Sequence, residues 1–284
     1  MMKKYINSIL LTFALISCAP VSLNAQKDVS EAYPFLKKDY MYEYLNVAKT
    51  IVDGNVISET RVETTYDDNN RITSIITTTN GQKTMEMVDF IYGDRTKSNV
   101  NNTYMNGEKF STQKVTNSYV DDYYRNIGVA EIETEMKGKT EKQRNEWVYD
   151  EQERVIGMKQ YLDGKLQKEE KDYVWTPNSC EYEEISYFPI SSTSKVSKQF
   201  QDENYVQNVL EVHKTITNGL EGEFKVEVTY DENGNIISTK NFRNGQLIME
   251  FKDYDWSDKK CTYTAVMYMN GAPCSTLEIE RLFK

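Results

Sequence analysis

A chain of 284 residues with 39% hydrophobic, 12% aromatic and 27% charged residues is a folded protein, long enough for one large domain or two ordinary ones. Its formal charge of -10 excludes a surface built to neutralise phosphates, so nucleic acid is a poor partner and anionic lipid headgroups are disfavoured. With His213 as its single histidine and no HExxH, Walker, GxSxG or CxxC pattern, it gives no support to a His-based metal cluster or a catalytic triad.

The chain begins MMKKYINSILLTFALISCAPVSLNAQ, in which Lys3 and Lys4 precede an apolar run, Ile9 to Ile16, far too short to span a bilayer. Residues 1–25 read as an export leader. Two cleavage readings stand side by side: a lipobox-like LISC, with Cys18 as the lipidated first residue, and simple cleavage after Ala25. Either one sends the protein out of the cytoplasm, to the periplasm, the cell surface or the outer membrane as a lipoprotein. Without Lys3 and Lys4 the mature chain holds 44 acidic against 32 basic residues, a balance that favours solubility. Cys180, Cys261 and Cys274 remain, an odd count that leaves at least one thiol unpaired.

After the leader, PFLKKDYMYEYLNVAK is the one stretch with any helical ambiguity, and most of it reads as a strand. The sequence then repeats itself. YDDNNRITS at Tyr66, YDEQERVIG at Tyr149 and YDENGNIIS at Tyr230 are 83 and 81 residues apart. Asn80-Gly81, Asp163-Gly164 and Asn244-Gly245 follow at one fixed offset; DFIY, DYVW and DYDW, from Asp89, Asp172 and Asp253, follow at another. Beneath this unit of about 82 residues lies a finer spacing of turn glycines, mostly 26 or 27 residues apart, with one glycine lost near FPISS. Asn-Gly and Asp-Gly allow the positive φ angles of tight type I′ hairpins, and the stretches between them are rich in Val, Ile, Thr and Tyr.

The mature chain, 26–284, therefore reads as a single all-β domain. It is an antiparallel meander of about nine hairpins, in three copies near 39–120, 121–203 and 204–284. Registering the Asn244-Gly245 hairpin pairs Phe242 with Leu247, Lys240 with Met249 and Ser238 with Phe251, and puts Ile72, Ile76, Met85 and Met87 on the matching face of the first copy. The middle copy carries Lys159, Lys168, Glu170 and Asp172 on that face, so both of its faces look wet. An open twisted sheet or hairpin solenoid follows, with a closed barrel left open as an alternative. A membrane barrel is set aside because neither face of KLQKEEKDYVW suits lipid, where a mid-bilayer charge costs roughly 2–4 kcal/mol.

Candidate sites are few. The polar turns DENGN and DDNN lack the ligand spacing of a calcium loop, so neither metal nor other cofactor is expected. The remaining lead is an aromatic pair at fixed offsets in each copy: Phe90 and Tyr92, Tyr173 and Trp175, Tyr254 and Trp256. Rings two residues apart share a strand face and could stack on sugars. Packing that fixes the register explains the same repetition more simply.

The YD signature resembles the YD repeat of Rhs and teneurin proteins, and the leader is similar to those of Bacteroidetes secreted proteins and lipoproteins. That resemblance implies an extracellular β-hairpin shell or scaffold, with carbohydrate among its partners, and supplies no catalytic residues. The expectation is an exported, non-enzymatic binding or scaffold protein of the bacterial envelope, lipid-anchored or free but not membrane-spanning, meeting an envelope protein or a carbohydrate. The alternatives are a glycan binder using the aromatics and a carboxylate-dependent hydrolase.

Overall fold

The structure, a computed structural model, describes residues 42–120, 126–201, 205, 207–257 and 259–284. The leader, Cys18 and residues 34–41 of the ambiguous stretch lie outside the described residues, and nothing among the described residues supports the lipoprotein reading. The first copy supplies β1 (Glu43–Val52), β2 (Asn55–Tyr66), β3 (Ile72–Thr79), β4 (Gln82–Gly93), β5 (Thr96–Met105) and β6 (Glu108–Tyr119). The second supplies β7 (Ile127–Met136), β8 (Lys139–Tyr149), β9 (Val155–Leu162), β10 (Lys165–Thr176), β11 (Ser179–Ser186) and β12 (Ser192–Phe200). The third supplies β13 (Asn208–Thr217), β14 (Leu220–Tyr230), β15 (Ile236–Arg243), β16 (Gln246–Ser257), β17 (Lys260–Met269) and β18 (Ala272–Phe283). The all-β antiparallel meander is as the sequence indicates, with left-handed residues in the tight turns, such as Asn80 (φ 51°) before Gly81 (φ 76°).

The ends of the meander are joined. β1 pairs with β2 on one edge and with β18 on the other, where Ala48 meets Ile279 and Thr50 meets Leu277. Every strand thus has two hydrogen-bonded neighbours, and the sheet is a closed barrel rather than an open sheet or solenoid. Closure removes the two unpaired edges that a meander of eighteen strands would expose, and twist accumulated along the sheet brings those edges together. The Arg281 guanidinium on β18 grips the Glu43 carboxylate on β1, and the Lys284 N–H donates to Tyr42 O (2.8 Å), so the seam is fastened at its end. The likeness to YD-repeat shells is corrected on the same ground, because the copies are three sectors of one ring and not a linear array of hairpins.

The YD signature has a local cause. In the first copy Asp67 Oδ1 accepts the N–H of Asn69 and of Arg71, both at 2.9 Å, and Oδ2 accepts the Arg71 guanidinium. Asp150 with Gln152 and Arg154, and Asp231 with Asn233 and Asn235, repeat the arrangement. The preceding tyrosine reaches across to the neighbouring strand: Tyr66, Tyr149 and Tyr230 donate to the carbonyls of Glu43, Ile127 and Asn208. Tyr and Asp together fix the turn and the end of the strand pair.

Bulges recur at the same places in each copy and change which residues share a face. Phe242 pairs with Leu247 as expected, but a bulge follows, so Met249 pairs with Asn241, Glu250 with Lys240 and Phe251 with Thr239. In the first copy Met85 meets Thr77 and Met87 meets Ile75, while Ile76 pairs with Glu86. A one-residue extra flips every side chain beyond it, which is why the unbulged register fails. A second bulge lies at Asp89, Asp172 and Asp253, each with positive φ (55°, 56° and 57°). It turns Tyr254 and Trp256 onto the face of Phe251, not the opposite one.

Along β1, β12 and β17 buried and more exposed residues alternate. The shielded set lines the interior, since side chains converge on a concave wall and splay apart on a convex one. The core is a patch on that wall across β16, β17, β18 and β1, formed by Phe251, Cys261, Tyr263, Ala265, Leu277, Ile279, Ala48 and Phe283.

The expectation that the chain cannot span a membrane was built on an open sheet, and closure removes that ground. It took both faces of Leu166–Trp175 as outer surfaces, but Lys168 and Glu170 point into the barrel and pair there at 3.1 Å, leaving Gln167, Glu169 and Lys171 outward. A closed β-barrel is the one strand architecture able to cross a bilayer. No helix among the described residues is long and apolar enough to do so, which says nothing about strands.

Candidate functional site

Three stretches of the interior wall differ in chemistry. The core patch described above is apolar. Across β10 to β13 the wall is charged: Lys168 Nζ meets Glu184 (2.7 Å) and Glu170 (3.1 Å), Lys198 meets Glu211 (3.5 Å), and His213 Nε2 lies 2.6 Å from Glu211 Oε1. Tyr173 O–H donates to Glu170 Oε2 at 2.6 Å while its ring lies on Tyr182, centroids 4.5 Å apart. Each of these carboxylates is therefore held by a cation or a hydroxyl. Glu170 and Glu184 are cross-strand neighbours bridged by Lys168, not an acid and base facing across a gap.

Across β5 to β9 the wall is rich in amides. The interior row reads Lys97, Asn117, Ala130, Asn145, Gln160 in register from strand to strand. Gln113 Nε2 donates to Thr134 Oγ1 (3.2 Å), Gln143 Nε2 to Asn145 Oδ1 (3.1 Å), and Asn99 to Asn101. Such a wall offers both donors and acceptors to a solute without a fixed charge.

The six aromatic residues singled out from sequence all stand half-buried on the interior side. Each pair is brought together: Phe90–Tyr92, Tyr173–Trp175 and Tyr254–Trp256 are stacked with centroids 6.3–6.4 Å apart. The three pairs are not brought to each other, since each lies in its own sector. Their rings face one another or a neighbour, as Tyr254 does Tyr263 at 4.7 Å, which covers the faces a sugar would stack on. Tyr92 O–H, Trp175 Nε1–H and Trp256 Nε1–H donate at 2.9 Å to the carbonyls of Ile72, Val155 and Ile236. These contacts tie each strand to the one before it.

Sequence reasoning missed Lys97, Lys198, Glu184 and Glu211. The available signal was their departure from the repeat: Lys97 stands where the other copies have Cys180 and Cys261. Those two thiols are free and buried, 1% and 0% exposed, and Cys274 is free and exposed. Among the described residues no group of three or more His, Cys, Asp or Glu is placed to hold a metal ion.

The outer face carries its own ion pairs, Arg144 with Glu131 and Glu146 (both 2.7 Å), Lys171 with Glu183 (3.5 Å) and Lys260 with Glu280 (2.6 Å). It also repeats a Tyr–Glu hydrogen bond three times: Tyr104 to Glu86, Tyr187 to Glu169 and Tyr268 to Glu250. Repetition of this kind belongs to the framework.

No protein-family model matches the chain, and no curated protein matches it. Among solved structures it is similar to a porin-like protein from Bacteroides uniformis, at 8% identity and a TM-score of 0.44, covering 85% of this chain and 98% of that one. It is also similar to a mutant Rh. blastica porin, at 6% identity and a TM-score of 0.31 with the same coverage. A Tc holotoxin pore from Photorhabdus luminescens matches at 12% identity and a TM-score of 0.27, covering 88% of this chain and 15% of that one. With TM-scores below 0.5 none of these likenesses carries weight, and the fold stands on the strand register.

Proposed function

We propose that the protein works through its lumen: it is a non-enzymatic β-barrel of the bacterial envelope that admits small polar solutes. The observation that carries this is a closed ring of eighteen strands whose interior wall is rich in polar side chains across β5 to β13. Asn117, Asn145, Gln160, Lys168 and Glu184 are placed inward there, while the packed apolar patch lies across β16 to β1. The strands are 8–12 residues long, which brackets the 9–11 or so that a tilted strand needs to cross a bilayer. The leader supports an envelope address.

The test uses purified mature protein in two arms. In liposomes and planar bilayers, a lumen that conducts gives stepwise current and release of trapped glucose. In solution, a lumen that holds solute gives retention in equilibrium dialysis. Absence of both, with the barrel folded by circular dichroism, overturns the proposal.

A further inference from the structure

Cations shielded on the interior wall are normally matched. Lys168 has Glu170 and Glu184, Lys198 has Glu211, and Arg281 has Glu43. Lys97 on β5 is the exception. It is 6% exposed and lies against two aromatic rings, with Nζ 5.3 Å from the centroid of Phe90 and 5.6 Å from that of Tyr92. Among the described residues it meets no carboxylate. Ring faces offset only part of the cost of taking an ammonium out of water.

Comparison of the copies shows what is missing. Lys97, Cys180 and Cys261 occupy the same place, 31 residues past the YD tyrosine. Beside Cys180 and Cys261, in register, stand Lys198 and Arg281, each closed by a carboxylate. Beside Lys97 stands Asn117, half-buried and without a side-chain hydrogen bond among the described residues, and beside Asn117 stands Ala130. Ala130 lies 19 residues before Tyr149, as Glu211 lies 19 before Tyr230. The first copy has a buried cation at this level of the wall, and the position that carries Glu211 beside Lys198 holds a methyl group; beside Arg281 that position is Asn46, and the acid comes from Glu43 on the same strand.

We infer that a carboxylate or phosphate group of a solute in the lumen takes the place of that missing acid. Lys97 supplies the charge, acting as a point cation with three donors. The Asn117 carboxamide supplies further donors, and the small Ala130 leaves room beside it. Phe90 and Tyr92, stacked at 6.4 Å, wall the other side. The site rests on the lumen being the working surface, and it names the class of solute that surface prefers.

The test is thermal unfolding of the full mature chain in sodium phosphate, sodium acetate or sodium chloride at equal ionic strength, with glucose passage or retention of the unaltered chain measured in parallel. A ligand of the folded state raises the melting temperature in proportion to the logarithm of its concentration above Kd. Phosphate or acetate is expected to raise it over chloride, and Lys97→Cys to abolish the rise. Cysteine is the side chain that the other two copies already bury at this place, so folding is preserved. Asn117→Ala is expected to weaken the apparent affinity several-fold. A response to phosphate alone assigns the site to phosphoryl groups; a response to both assigns it to anionic oxygens generally. An equal rise in the unaltered and Lys97→Cys chains, or no rise with either anion, overturns the site. If glucose passage or retention persists in that case, the lumen reading survives without it.

Discussion

Removing Asp253 tests whether it is the extra residue that sets the interior face. Asp253 sits at φ 57° between Lys252, which pairs with Thr264, and Asp255, which pairs with Thr262, so it shares with Tyr254 the place opposite Tyr263. Without it β16 and β17 run in simple alternation with the same pairs, and Phe251, Tyr254 and Trp256 all stay on the inner face. Removing Asp255 instead leaves the strand one residue short. Either the bulge stays and Trp256 turns outward, or the bulge is used up and Tyr254 turns outward. In the first case Trp256 loses its hydrogen bond to Ile236 O, worth about 1 kcal/mol, and its stacking on Tyr254. In the second Tyr254 loses its stacking on Trp256 (6.3 Å) and on Tyr263 (4.7 Å), each worth roughly 0.5–1.5 kcal/mol. By denaturant titration the expected loss is about 1–3 kcal/mol for the Asp255 deletion and under about 1 kcal/mol for the Asp253 deletion. In a Trp147→Phe/Trp175→Phe background Trp256 is the sole tryptophan, and its emission should be unchanged when Asp253 is removed. A red shift with iodide quenching in the Asp253 deletion, or equal losses in the two deletions, would refute the reasoning.

Lys137 holds φ 50° at the first position of a tight turn before Gly138, where the third copy has Asn218 (φ 51°). Lys137→Asn should stabilise by about 0.5–1 kcal/mol, since asparagine tolerates the left-handed region and lysine does not, and raise Tm by about 1–4 °C; an unchanged or lower Tm contradicts this. Acid pH should act on the YD turns. Backbone hydrogen bonding from Arg71, with its guanidinium, holds the Asp67 carboxyl below the usual range; at Asp150 partial desolvation works the other way and is outweighed by the Arg154 side chain and backbone. A folded pKa below the unfolded one contributes stability above the unfolded value, near 3.9, that disappears as pH falls through the folded one. The Asp67→Asn/Asp150→Asn chain should therefore unfold at lower urea than the parent at pH 7, with the gap narrowing at pH 3. A constant gap would count against the assignment.

Strand number, turn positions and the three-copy unit were legible because Asn-Gly turns and Tyr-Asp turns are local signals: Asn80, Asn244, Asp67 and Asp231 do their work within a few residues. Facing was not legible, because bulges such as those at Asp89, Asp172 and Asp253 move every later residue to the other face and leave little trace in composition. Aspartate at those positions looked like strand polarity, although its positive φ is what the bulge requires. Closure was hidden for a different reason. It depends on β1 meeting β18, and the register of Ala48 with Ile279 spans nearly the whole chain. The charged middle copy then argued for an open sheet only while Lys168 and Glu170 were placed in water and not opposite Glu184 on an inner wall.

The repeat separates framework from function. What recurs in all three copies, the Tyr-Asp turn, the aspartate bulge, the ring that donates to the preceding strand and the outer Tyr–Glu pair, is bonded to the chain itself. Those groups have little left to offer a ligand. What differs between copies is the interior wall: apolar across β16 to β1, charged across β10 to β13, amide-rich with an unmatched lysine across β5 to β9. Three equal sectors would serve closure as well as three unlike ones, so the differences are not required by the barrel. On the proposed function, a solute inside would meet a surface whose apolar and ionic partners lie at different points of the ring. Its orientation would then be set by the places where Lys97, Ala130 and Glu211 break the repeat.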